Sequence, residues 1–292
     1  MKSSFTTRML TLMAVVLAAV FIGNLLVLGY ASMSGVNLTS ESDLISLLND
    51  TANVPYVKAL VGLNHFLTFI IGPLIFLMIF YRHRAATYLQ LRHFDTRLLM
   101  LFPLALFSLY PMISYVTFYV EMIDFPDFLK SMDEDSFDAL YGLLKMDDPL
   151  DLLLNLLIIA ILPGIGEELL FRGIIQKEIF IKTSRPHFAI WVTAFIFAAF
   201  HLQITGLFAK FMIGLVLGYA YYYSSSLILS MMLHSLNNGL ATVGYYFQPD
   251  DLDMENITTE PVSIVSVLIF TAIFAATMFY IRSISDIRQQ FP

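Results

Sequence analysis

The 292-residue chain has no cysteine and a single tryptophan. Without thiols there are no disulfides, no thiolate zinc site and no cysteine nucleophile, so any chemistry must use other side chains. Charge is scarce as well. Only 13% of residues are Asp, Glu, Lys or Arg, against 58% hydrophobic, and the mean hydropathy is +0.75. Soluble globular domains do not have this composition, which implies a polytopic membrane protein. Several signatures are also missing: an H-E-x-x-H zinc-peptidase motif, a G-x-S-x-G serine elbow, a pair of intramembrane aspartates, an EF-hand loop and any internal repeat of 20–50 residues. No basic patch recommends a nucleic acid, and the net charge of -7 comes from acids concentrated in two loops.

What is present is a series of apolar runs of bilayer length. Eight can be read, at roughly 9–31, 56–81, 98–122, 150–176, 187–204, 207–223, 226–246 and 261–281. Each should be a helix, because a span in lipid satisfies its backbone hydrogen bonds internally. The fold class expected is therefore all-α, a transmembrane helical bundle. The first run is too long for the core of a signal peptide, so it reads as a retained span rather than a leader cleaved near Ala31 to Ser34.

With eight spans, the loops holding Lys2 and Arg8, then Arg82, Arg84, Arg92 and Arg97, then Lys177, Lys182 and Arg185, then Arg282 and Arg288, all fall on one side. The positive-inside rule makes that side cytoplasmic and puts both termini there. The opposite side is acidic. Residues 123–148 carry eight Asp or Glu against two Lys, and 247–260 carry Asp250, Asp251, Asp253, Glu255 and Glu260; both read as solvated surface. Three regions follow: 1–148 with spans one to three, 149–247 with the polar motifs, and 248–292 with the last loop, span and tail.

Ionisable groups at membrane depth cost about 2.5–3.5 kcal/mol each and mark function or a buried pair. They form three clusters: Glu167, Glu168 and Arg172 on the fourth span, His201 on the fifth, and His234 with Asn237 and Asn238 on the seventh. At about 100° per residue, Glu168 and Arg172 share a helix face while Glu167 points elsewhere. Arg172 is thus expected to pair with Glu168. Glu167, beside a second carboxylate and next to Pro163, Gly164 and Gly166, suits a general base that must also return its proton. Phe197 with His201, and His234 with Asn238, are likewise spaced i, i+4 on their faces. One carboxylate, two imidazoles and an amide suffice for hydrolysis: Glu167 and His201 to activate water, directly or through a metal, and His234 and Asn238 to donate to an oxyanion. The remaining histidines, His65, His83, His93 and His187, read as structural or solvated. Counting rise per residue puts Glu167 and His201 at depths differing by about 10 Å, which tilt, an extended fourth helix or a span boundary displaced by two turns would remove.

E-E-x-x-x-R at Glu167, Glu168 and Arg172, F-x-x-x-H at Phe197 and His201, and H-x-x-x-N at His234 and Asn238 occur in that order on successive spans. Together they resemble the CAAX prenyl protease type 2 and bacteriocin-processing (CPBP, or Abi) family of intramembrane proteases, over about residues 150–246. The resemblance implies an endopeptidase acting on a membrane-embedded peptide or protein, with Glu167 activating water, His201 assisting, His234 and Asn238 placed for the oxyanion, and Glu168 and Arg172 orienting the first motif. Glu167, His201 and His234 are also the ligand types of a catalytic zinc site, so a divalent metal and a metal-free site both stay open. The implied location is a bacterial inner membrane. Two other functions fit the same groups: a non-catalytic bacteriocin-immunity or scaffold protein, and an ion-coupled transporter.

Overall fold

The computed structural model describes residues 3–33, 35, 54–248 and 261–285. The acids expected between 249 and 260, together with Lys2 and Arg288, lie outside the described residues. Among those described, regular structure is entirely helical: α1 (Phe5–Met33), α2 (Val54–Phe80), α3 (Ala85–Leu89), α4 (Leu98–Glu121), α5 (Asp127–Leu144), α6 (Pro149–Thr183), α7 (Pro186–Phe200), α8 (Leu207–Ser224), α9 (Leu227–Phe247) and α10 (Ile264–Ile284). The protein is an all-α polytopic membrane bundle.

Helices α1, α2, α4, α6 and α10 are long and apolar enough to cross a membrane, and α7 is a shorter apolar helix. Helices α7, α8 and α9 occupy the remaining three positions at which the sequence predicts spans. The predicted boundaries of the fourth span fall short. Helix α6 runs 35 residues, about 52 Å at 1.5 Å per residue and well beyond the hydrocarbon thickness.

Local chemistry explains where these helices start and stop. Asp148 caps α6 by accepting from the backbone N–H groups of Leu150 (2.8 Å) and Asp151 (3.0 Å), and Pro149 occupies the first turn, where no N–H is needed. At the other end Ser184 takes a left-handed conformation (φ 55°) that closes α6, and Pro186 starts α7. Segment 127–144, expected as an acidic loop, is the helix α5. Its apolar residues Leu129, Met132, Phe137, Leu140 and Leu144 recur at near-helical spacing among the acids.

The chain divides into two compact units. The first comprises Met1–Tyr88, Glu134–Leu170 and His234–Asp251, and the second Leu89–Asp133, Phe171–Leu233 and Leu252–Pro292. In the first, small residues allow close helix approach. A Cβ on Gly164 of α6 would lie 2.8 Å from the backbone nitrogen of Ser235 on α9, and one on Gly166 would lie 2.8 Å from Phe69 Cβ on α2. Polar groups tie helix ends: Lys58 Nζ donates to the Lys145 carbonyl (2.6 Å), just beyond α5, and Asn155 Nδ2 to that of Leu143 (2.9 Å), in its last turn. The second unit is built on an apolar core of Phe102, Leu106, Leu109, Leu217, Leu233 and Ile281 with their neighbours.

Candidate active site

The site in the first unit begins with a proline. Pro163 has no N–H, so in an α-helix the carbonyl four residues earlier, that of Ile159, loses its partner. The Asn238 side chain fills the gap, its Nδ2 donating to Ile159 O at 3.1 Å, while its Oδ1 accepts from Asn237 Nδ2 at 3.2 Å. Helix α6 is further altered by π turns at Leu156–Ile161 and Phe171–Gln176, and α2 has another at Leu67–Ile71. These wider turns flank the polar positions of both helices. They also change helical angles, so the ideal-helix relation between Glu167, Glu168 and Arg172 holds only up to Leu170.

Glu168 is fully buried and its Oε1 accepts a 2.9 Å hydrogen bond from His234 Nδ1. That bond fixes the imidazole: with the proton on Nδ1, the neutral ring carries its lone pair on Nε2. Nε2 faces Glu167, 4.0 Å from Oε2. The other oxygen of Glu167, Oε1, faces a second imidazole, His65 Nε2 at 3.9 Å. The His65 ring stacks on Phe69 with centroids 4.4 Å apart. Side-chain exposure rises along this row, from 0% at Glu168 through 5% at His234 and 12% at Glu167 to 17% at His65. Beyond His65, Thr68 donates to Asn64 (3.3 Å) and Asn64 to Asn24 (3.1 Å), giving α1 and α2 a polar contact at membrane depth.

Arg172, Phe197 and His201 belong to the second unit. The Arg172 guanidinium is fully buried, lies 4.5 Å over the Phe197 ring and donates from Nη2 to the Gly214 carbonyl at 3.1 Å. Phe197 also meets the Phe171 ring edge-on at 5.2 Å. His201 caps α7, and its Nδ1 donates to the Phe197 carbonyl at 2.9 Å, which again leaves Nε2 as the lone-pair nitrogen. The next residue, Leu202, is in the left-handed region at φ 54°. The turn after it is held by Asp133 of α5, a buried carboxylate that accepts from Ile204 N (2.7 Å), Thr205 N (2.9 Å) and the Thr205 hydroxyl (2.6 Å).

The structure thus brings Glu167, Glu168, His234 and Asn238 together in one unit, and Arg172, Phe197 and His201 in the other. It also places His65, which has no acidic neighbour in the sequence, against Glu167. No linear signal joins residues a hundred positions apart; the one hint is the polar run Asn64, His65 and Thr68 inside an apolar span. Around Glu167 the oxygen-to-nitrogen separations of 3.9 and 4.0 Å exceed the about 3.3 Å expected between two ligands on a tetrahedral zinc. Among the described residues no group of three or more His, Asp or Glu side chains is arranged to hold a metal ion.

Residues 149–240 match the family described as Type II CAAX prenyl endopeptidase, Rce1-like. The matched segment contains all seven motif residues and neither His65 nor Asp133. No curated protein and no solved structure matches the chain. At the level of the family, residues 149–240 are similar to a membrane-embedded CAAX-type protease.

Proposed function

We propose that the chain is an intramembrane endopeptidase in which Glu167 is the general base and His234, held by Glu168, orients the attacking water. The observation that carries this is the 4.0 Å gap between Glu167 Oε2 and His234 Nε2. It is too wide for a direct hydrogen bond but suited to one water. A water about 2.7 Å from both acceptors would subtend an angle of about 95°, near its own H–O–H angle, and would donate one proton to each. Its lone pair is then left for attack.

The step balances simply. Glu167 takes a proton from the water as the oxygen bonds to the scissile carbonyl carbon; the carbonyl becomes an oxyanion; the C–N bond breaks as Glu167 passes the proton to the departing nitrogen. The products are a carboxylic acid and an amine, and the Glu167 carboxylate is regenerated. Asn238 Nδ2 carries a second hydrogen besides the one given to Ile159, and that hydrogen is the donor we assign to the oxyanion. For His201, in the second unit, the motif alone implies an assisting role, and its bond to the Phe197 carbonyl leaves Nε2 as the lone-pair nitrogen. Arg172 and Phe197 tie the C-terminal half of α6 to α7 and α8 within the second unit. The substrate class in this reading is a segment of a membrane-associated protein or peptide, and the positive-inside rule would put both chain termini on the side of the basic loops. Single cysteines introduced into this cysteine-free chain would test that topology by accessibility.

The deciding experiment compares the peptide ends of the membrane proteome with wild-type protein and with Glu167→Gln. New termini that vanish in the variant, with its expression unchanged, support the peptidase; removal of a general base typically costs about 10²–10⁴-fold in rate. Full biological activity in Glu167→Gln refutes catalysis and returns the scaffold or immunity reading, and a change in ion flux in proteoliposomes returns the transporter.

A further inference from the structure

The two oxygens of Glu167 do not have equivalent surroundings. Oε2 faces the lone-pair nitrogen of His234, an acceptor in the neutral ring because Nδ1 is committed to Glu168. Oε1 faces His65 Nε2 at 3.9 Å. A general base with one oxygen on its water must have the other oxygen held, or the carboxylate rotates about its last torsion and the water loses its line of attack. From this arrangement we infer that His65 is a positioning residue for Glu167, carrying its proton on Nε2 and donating to Glu167 Oε1. This rests on the peptidase reading above.

The two histidines flanking Glu167 therefore do opposite work: His234 accepts from the water, and His65 donates to the base. At 3.9 Å the His65 contact is bridged by water or closes by a small torsion of the Glu167 side chain when substrate docks. The ring has the means to hold its place, since it stacks on Phe69 at 4.4 Å with planes 26° apart. Phe69 lies in the π turn of α2, and its Cβ and backbone pack against Gly166 next to Glu167 in the chain. The backbone carrying Glu167 thereby packs against the residue whose ring stacks on His65. His65 and Glu167 are the more exposed members of the row, at 17% and 12%.

The substitutions that test this separate the nitrogen from the ring. His65→Phe keeps an aromatic ring for Phe69 and removes the donor; His65→Gln removes the ring but returns an amide N–H near the Nε2 position. With wild-type and variant proteins in proteoliposomes and a farnesylated peptide ending in a C-a-a-X sequence as probe, His65→Phe is expected to lower kcat about tenfold to a hundredfold with KM within about twofold. His65→Gln should recover to within about fivefold of wild type. A His65→Phe enzyme with wild-type kcat beside an inactive Glu167→Gln overturns the inference and leaves the peptidase reading intact, whereas an active Glu167→Gln overturns the peptidase reading itself. A second measurement needs no substrate. In protein labelled with ¹⁵N-histidine, the His65 Nε2 resonance should show the protonated tautomer and should move in Glu167→Gln. An unprotonated Nε2, or one indifferent to Glu167→Gln, refutes the inference whether or not the probe is cleaved.

Discussion

Gly164→Ala tests the packing that sets the site without touching a reactive group. The added Cβ would clash with Ser235 Oγ and stand 2.8 Å from Ser235 N and 3.0 Å from Ser235 Cα. The hydroxyl can rotate away; the backbone nitrogen of α9 cannot. To bring 2.8 Å to an ordinary 3.4 Å contact, α9 and α6 must separate locally by about 0.6 Å. Overpacking of this kind costs about 1–3 kcal/mol, offset by about 1 kcal/mol because alanine favours the helix over glycine. The net destabilisation expected is therefore small, about 0–2 kcal/mol. Function should suffer more. Ser235 adjoins His234, so the same displacement would stretch the 2.9 Å His234–Glu168 bond towards the limit of a hydrogen bond. Probe cleavage should fall about tenfold or more while unfolding in denaturant moves little. Ser235→Gly removes only the hydroxyl clash and should rescue only in part. If Gly164→Ala keeps both wild-type activity and wild-type stability, the close approach of α6 and α9 does not set the geometry of His234.

Three further outcomes follow from separate parts of the molecule. Asn238→Ala should cost about 1–3 kcal/mol by stranding the Ile159 carbonyl, and should cost clearly less in a Pro163→Ala background that restores a backbone N–H; a double-mutant cycle with no coupling refutes the proline explanation. Asp133→Ala should raise the hydrogen-exchange rates of the Ile204 and Thr205 amides above those of neighbouring loop amides, with Asp133→Asn intermediate, and unchanged exchange would show that the carboxylate does not hold that turn. Outside the membrane, hydrogen bonds from Arg97 hold the Asp95 carboxyl below its ordinary range. Because its folded value is depressed, the contact contributes above the unfolded value and is lost as pH falls through the folded one; an NMR titration of Asp95 should show the midpoint rising towards an ordinary aspartate in Arg97→Gln.

The apolar runs made the spans legible, because lipid imposes length and composition on a helix more strictly than water does. Glu167, Glu168 and His234 stand out as candidates for a related reason: an ionisable group is costly at membrane depth and marks function or a buried pair. Other features required the folded chain. His65 gains its acidic neighbour only when α2 packs on α6. The π turns at Leu156–Ile161 and Phe171–Gln176 leave no mark in a pattern read at a fixed 100° per residue, and they lie within a helix longer than the span predicted for it. An intramembrane Asn such as Asn238 reads from the sequence either as a donor to an oxyanion or as an interhelical hydrogen bonder, but its partner does not, although the proline four residues after Ile159 already creates the vacancy that its amide fills. In 127–144 the density of acids conceals a helical repeat of apolar residues, and with it the buried role of Asp133.

The rise in exposure from Glu168 to His65 gives the row a closed end and an open end. Two glutamates adjacent in sequence are thus chemically unlike: a carboxyl-directed reagent small enough to enter would meet Glu167, while Glu168 remains behind His234. The same asymmetry sorts inhibitors. A polar warhead aimed at Glu167 would compete for the place proposed for the water between Glu167 and His234, but one designed to reach Glu168 must first break its bond to the imidazole.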